Sequence, residues 1–223
     1  MLNSKDKKYI VSLVQRFIPV ILDEIGFDPT VKEVGHSYHG PFEHLMVKKL
    51  MEEDSDFTEP TMTRSPDDVK YKNQYINIKF GYDKHGQPNI CSMHRLFKYL
   101  HEETIDSYYL LSVDALGPVV HFFDVYDYLD CTNFNYGTGQ LMLNESLLKE
   151  VYVPTTVSDL SREEKLIKIG QMMRNELDRH ISQKLDQQKR IDLLVDEYVD
   201  RVKRLNKVYD LKTYMPKELK KSS

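Results

Sequence analysis

The chain has 223 residues, 40% hydrophobic and 30% charged, with a net charge of -4. That is enough apolar material for one large domain with a sizeable core, and the charge excludes a strongly basic protein whose composition alone would announce nucleic-acid binding. No apolar run is long enough to span a membrane and no signal peptide opens the chain. Its two cysteines, Cys91 and Cys131, lack metal-site spacing, which fits a reducing cytoplasm rather than a disulfide framework.

Residues 5–25 carry Tyr9, Ile10, Leu13, Val14, Phe17, Ile18, Ile21 and Leu22 at helical spacing. The spacing predicts an amphipathic helix, bent at Pro19, whose stripe serves as core or dimer surface. A polar loop with His36, Ser37 and His39 follows, and its imidazoles are placed to touch a phosphate. Pro41 opens a second helix that runs to about Glu53. Glu43 lies near its start, where a carboxylate either compensates the helix dipole or joins an acidic site. Residues 54–64 read as a loop.

Two short runs then alternate apolar and polar residues: Val69 and Tyr71 on the first, Ile76, Ile78 and Phe80 on the second. The period of two predicts a hairpin with a two-residue loop at Lys72-Asn73. That register pairs Tyr71 with Gln74, Val69 with Ile76 and Asp68 with Asn77. It puts Asp68, Asn77 and Lys79 on the face away from the apolar set, and it selects Asp68 over Asp67, which would lie beside Ile78. A carboxylate, an amide and an ammonium on one patch of sheet are what metal-assisted phosphodiester cleavage needs. Asp68 and Asn77 supply metal ligands, and Lys79 stabilises charge or orients water.

After a loop containing Gln87, residues 89–101 predict a helix with Ile90, Met93, Leu96, Phe97 and Leu100 on one face. Residues 108–113 and 119–125 are strands of a second hairpin. Residues 131–140 are rich in amides, hydroxyls and glycine, including Asn133, Asn135, Tyr136, Thr138 and Gln140. Such a segment is a solvated loop by composition, and it is equally suited to reading base edges, because Asn and Gln pair bidentately with adenine. From Ser161 the pattern turns helical, opened by the capping box Ser161-Arg162-Glu163-Glu164. Breaks are expected near Gly170 and Asp186-Gln187-Gln188. The apolar stripe reads as a packed appendage or as a dimerisation element. No histidine pair has the spacing of a zinc site.

Pro66-Asp67-Asp68 with Asn77-Ile78-Lys79, after a helix bearing Glu43, resembles the motif of the PD-(D/E)xK nuclease superfamily. Flanking segments are similar to type II restriction endonucleases of the HincII-like branch, and more distantly the EcoRV-like one. These are Gly35-His36 with Gly40-Pro41-Phe42-Glu43-His44-Leu45, then Gln87-Pro88-Asn89-Ile90-Cys91-Ser92, then Phe134-Asn135-Tyr136, and Ser161-Arg162-Glu163-Glu164. The likeness is patchy but collinear over about residues 35–205. It implies an α/β fold with a mixed sheet: a restriction-endonuclease-like core (about 30–155) with helices on both sides and a C-terminal helical region (about 158–212), together one domain over 1–223. It implies a homodimer acting in the prokaryotic cytoplasm that cuts double-stranded DNA at a short palindrome with Mg²⁺. Asp68, Asn77, Lys79 and Glu43 would form the catalytic set. Gln87, Asn89, Ser92, Asn133, Asn135, Tyr136, Thr138, Gln140, His36 and Ser37 would meet DNA.

Asn77 departs from the family, which has Asp or Glu at that position. It is either a family variant or an isosteric replacement of an aspartate, and it removes charge from the metal site. Two other readings accompany the restriction enzyme: a superfamily nuclease of DNA repair or phage DNA processing, and a catalytically impaired DNA-binding dimer.

Overall fold

The structure is a computed structural model, which describes residues 1–30, 38–59, 68–81, 89–102, 105–114, 119–135, 138–154 and 156–209. The chain divides into two units, Met1–Arg174 and Asn175–Ser223. Fourteen elements run in the order α1 (Ser4–Glu24), α2 (His39–Glu53), β1 (Phe57–Thr58), β2 (Val69–Tyr71), β3 (Gln74–Gly81), β4 (Asn89–Ser92), α3 (Met93–His101), β5 (Tyr108–Asp114), β6 (Val119–Asp124), a 3₁₀ turn (Leu129–Cys131), β7 (Thr132–Asn135), β8 (Gln140–Leu143), α4 (Glu145–Val151) and α5 (Arg162–Tyr209).

The protein has the expected mixed α/β class. Five strands form one sheet in the order β1-β2-β3-β5-β6, in which only β3 and β5 run parallel; three more form a sheet in the order β4-β8-β7. One face of the large sheet, with Ile76, Ile78, Phe80, Tyr109, Leu111 and Phe122, packs on α1 and α2. The other face, with Tyr108, Leu110 and Phe123, packs on α3, the small sheet and the first turns of α5. The crossover from β3 to parallel β5 carries α3, as a parallel pair requires.

The hairpin has the predicted register: Tyr71 opposite Gln74 and Val69 opposite Ile76. Lys72 (φ 47°) and Asn73 (φ 63°) both lie in the left-handed region, the backbone that a two-residue type I′ turn demands. The α1 helix starts one residue earlier than the sequence pattern suggested. Asn3 caps it, accepting from Asp6 N at 2.9 Å in a reciprocal capping box. The capping box at Ser161 and Glu164 is also formed, with Ser161 N donating to Glu164 Oε2 at 2.7 Å.

Several expectations are corrected. The α2 helix opens at His39, not Pro41, so His39 leaves the loop and sets its ring edge-on to Phe80. Residues 89–92 are a strand rather than a first helical turn, because pairing with β8 supplies their backbone partners. Within residues 131–140, read as loop, 132–135 form a strand and Gln140 opens another that runs to Leu143, for the same reason. Phe57–Thr58, read as loop, pairs with β2. The C-terminal helix runs unbroken from Arg162 to Tyr209. Gly170 does not interrupt it; a Cβ there would lie 3.7 Å from Phe97 Cε2, an ordinary packing contact.

A buried charged network fastens the start of α5. Lys165 and Asp124 are 1% and 0% exposed and lie 2.7 Å apart. Lys165 Nζ also donates to Asp106 O and Ser107 Oγ, while Asp124 Oδ1 accepts from Tyr108 N and Tyr126 N. Every donor and acceptor of the pair has a partner, which is the condition for burying charge. Lys7, from α1, is also buried and donates to Thr156 O. No helix among the described residues is long and apolar enough to cross a membrane.

Candidate active site

β3 has eight residues and β2 only three, so beyond Ile76 the β2 side of β3 has no strand partner among the described residues. An open edge leaves backbone N–H groups to be satisfied by other means. Two carboxylates do it here. Asp68 Oδ2 accepts from Ile78 N at 2.6 Å, and Glu43 accepts from Phe80 N. Asp68 also donates its own N–H to Ile76 O at 3.0 Å. Its backbone and side chain therefore bond the residues on either side of Asn77, and the strand ladder itself stops at Val69.

Lys79 lies between the two acids, with Nζ 3.4 Å from Glu43 Oε1 and 3.9 Å from Asp68 Oδ2. Glu43 reaches this edge because α2 is held by Phe42, whose ring stacks on Phe80 at 4.0 Å between centroids. The helix-start carboxylate therefore joins the acidic cluster, one of the two roles the sequence left open. Asn77 is 5% exposed and sits two residues before Lys79 on the same strand. Burial pushes the carboxyls of both Asp68 and Glu43 above the usual range, against the pull of the Lys79 ammonium. One lysine thus under-compensates two half-buried carboxylates.

The hard oxygens of Asp68 and Glu43 are the donor chemistry a small divalent cation takes, and an amide at Asn77, on the strand next to Ile78, is of the same hard-oxygen class. Among the described residues no cluster of three or more His, Cys, Asp or Glu is arranged to hold a metal. The set here has two carboxylates and an amide where a richer site has three acids.

A second group of candidates meets on the small sheet. Asn89, Met142 and Asn133 form one row across its three strands; Ser92, Gln140 and Asn135 form the next. Asn89 and Asn133 are exposed and the other four are half-buried. The opposite face, with Ile90, Leu141 and Leu143, is buried in the core. Scattered in sequence, these residues come into register because strand residues alternate sides and because β4 has one extra residue between Asn89 and Ser92 relative to β8. Thr138 lies in the β7–β8 turn, where its N–H donates to Asn135 Oδ1 at 3.3 Å. His36, Ser37, Gln87 and Tyr136, and the neighbouring Asp67, lie outside the described residues.

Sequence reading did not give a role to several residues near these groups. Met142 is the one apolar side chain in the amide rows. At the far end of β3, a Cβ on Gly81 would come within 3.8 Å of Glu145 Oε1, and Asp114 lies 3.8 Å from Lys149. Burial raises the Glu145 carboxyl as well. Asp114 pairs with Gly81, a contact only visible once β5 is known to neighbour β3.

No protein-family model matches the sequence. No curated protein matches it either. Among solved structures the chain is similar to a restriction endonuclease in complex with substrate DNA, at 16% identity and a TM-score of 0.42, over 69% of this chain and 89% of that one.

Proposed function

We propose that this chain is a Mg²⁺-dependent, sequence-specific endonuclease for double-stranded DNA, of the type II restriction kind with a PD-(D/E)xK site, working as a homodimer on a short palindrome. The observation that carries it is the convergence of Asp68, Glu43 and Lys79 on the open edge of β3, next to Asn77. Two buried free thiols suit the reducing cytoplasm in which such an enzyme acts.

Asp68 and Asn77 would hold Mg²⁺, with Glu43 beside them. When bound, the metal supplies Lewis acidity at a phosphoryl oxygen and lowers the pKa of water. The chain's own residues do the rest. Lys79, anchored between two carboxylates, donates hydrogen bonds to an attacking water or a scissile phosphate and offsets the charge that grows there. Ile78 N and Phe80 N fix the carboxylates, so their oxygens need little reorganisation. The exposed amides Asn89 and Asn133 and the half-buried Gln140 meet base edges, with Ser92, Asn135 and Thr138 around them. Gln87, Tyr136, His36 and Ser37 complete the proposed DNA contacts from sequence alone.

The test is digestion of a sequenced plasmid with Mg²⁺ by this protein and by Asn77→Asp, with fragment ends mapped. Restoring a carboxylate beside Asp68 is expected to raise cleavage at least about tenfold, the equivalent of roughly 1.4 kcal/mol, and to lower the Mg²⁺ needed. Discrete fragments support a restriction enzyme. A smear or end-dependent loss points to a repair or phage-processing nuclease. No cut by either protein, in Mg²⁺ or Mn²⁺, sinks the nuclease reading and leaves a DNA-binding dimer.

A separate expectation concerns the amide face. Gln140→Ala is expected to cost about 1–3 kcal/mol of discrimination between sites, as loss of one bidentate base contact does, while binding to unrelated DNA changes little. Competition binding with specific and non-specific duplexes measures it, and an equal loss on both would remove Gln140 from base reading.

A further inference from the structure

Among the described residues the second unit is the long remainder of α5, and most of its large apolar side chains are exposed. Leu177 is 59% exposed, Ile191 58% and Tyr198 67%. A broad stripe with a 3.6-residue period belongs to a helix lying on a core. The spacing here also fits a seven-residue repeat. Positions 177, 181, 184, 188, 191, 195, 198 and 202 advance by alternating steps of four and three. In heptad terms Ile181, Val195 and Val202 sit at a and Leu177, Ile191 and Tyr198 at d, with polar Gln188 and Lys184 filling the remaining a and d places; Leu185, Leu194 and Val199 flank the seam and Leu193 lies away from it. A seam of this period is what two supercoiling helices share, each side chain entering a hole on the other.

We propose that residues 184–202 pair with the same helix of a second copy as an antiparallel coiled coil, centred near residue 193. The inference rests on the two-copy reading above and names its contact. The seam is self-complementary when reversed. Ile191 then lies opposite the partner's Val195, Gln188 opposite the partner's Tyr198, and Lys184 opposite the partner's Val202. A parallel pairing would instead stack Lys184 on its own copy inside a core layer, where like charge is costly. Reversal leaves a like-charge contact only at Asp192, on the flank, where water and salt screen it. The flanks also match. Leu185 faces the partner's Val199, and Leu194 meets its own copy at the two-fold axis.

The size is sufficient. At roughly 100 Å² for each large apolar side chain, the seam and its flanks bury on the order of 1,500 Å² over both copies. That clears the ~1,000 Å² a specific interface needs.

The test uses the full chain. Sedimentation velocity at micromolar concentration is expected to show a dimer, and Ile191→Lys with Val195→Lys to weaken it at least about 100-fold. Both sites are exposed, so the first unit keeps its unfolding transition in the variant. Single cysteines then read the direction, the native Cys91 and Cys131 being buried. Leu194→Cys is expected to form an intermolecular disulfide under mild oxidation. Ile181→Cys is not, because reversal sets the two copies of residue 181 about 36 Å apart along the helix. Crosslinking through Ile181→Cys but not Leu194→Cys overturns the antiparallel pairing. A dimer untouched by the double lysine variant overturns the seam and leaves a two-copy nuclease on another surface. A chain that is monomeric both free and on DNA overturns the seam and the two-copy reading together.

Discussion

Asp68→Ala is expected to lower Mg²⁺-dependent DNA cleavage by a factor of about 10² to 10³ or more, corresponding to roughly 3–4 kcal/mol of lost transition-state stabilisation. DNA binding should fall far less. Asp68 does two things at once: it accepts from Ile78 N, which fixes it, and it turns its remaining oxygen capacity to the place where Lys79 and Glu43 also point. Alanine removes the proposed metal ligand, the neighbour of Lys79 and the partner of a strand-edge N–H together. Plasmid nicking and duplex binding, measured side by side in Mg²⁺, check the result. If Asp68→Ala cuts as fast as the parent, the site is wrong.

Asp68→Asn separates charge from shape, since an amide oxygen still accepts from Ile78 N. Burial raises the Asp68 and Glu43 carboxyls, so the folded state favours their protonated forms. A raised carboxyl contributes stability at acid pH, below the unfolded pKa, and that contribution is lost as pH rises through the raised folded value. At neutral pH the charged pair therefore costs stability. Asp68→Asn is expected to melt higher than the parent at pH 7 without metal, and the gain should shrink as pH falls through the carboxylate range. Thermal unfolding of both proteins across pH 4–8 measures it; an equal melting difference at every pH would assign the effect to something other than this charge. Inactivation paired with stabilisation is the mark of residues kept for chemistry rather than for the fold.

Lys165→Met is expected to destabilise the first unit by about 3–5 kcal/mol. Lys165 is 1% exposed and fills its three donor sites with Asp124, Asp106 and Ser107. Methionine keeps much of the stem but leaves the buried Asp124 carboxyl without its Lys165 partner. Asp124 in turn holds Tyr108 N and Tyr126 N, so the loss reaches both β5 and the end of β6. Adding Asp124→Asn to Lys165→Met removes the orphaned carboxyl and should recover a large share of the stability. Urea unfolding of the single and double variants decides it. A single-variant loss under about 1 kcal/mol would mean the pair does not fasten α5.

Period was enough where structure is local. Alternation in Val69, Tyr71, Ile76 and Ile78 determined the hairpin and its register, because a one-residue slip would turn the apolar set to the wrong face. Helical spacing determined α1 and the start of α5, and the capping box marked the latter to the residue. The hairpin by itself grouped Asp68 with Asn77 and Lys79.

Partners distant in sequence decided the rest. Residues 89–92 and 132–143 look like helix start and amide-rich loop because the sequence does not say that three short strands find one another; only pairing gives them β structure, and only the sheet's alternation sets Asn89, Asn133 and Gln140 on one face. Glu43 joins Lys79 because Phe42 stacks on Phe80, a contact between a helix and a strand 38 positions apart. Lys165, which reads as one charge among many on a helix, is buried because β6 ends in Asp124. Sequence determined which residues could do the chemistry and how their own hairpin folds. Tertiary structure decided that, among the described residues, β3 outruns β2, and so that two carboxylates bond the N–H groups along its edge with one lysine between them.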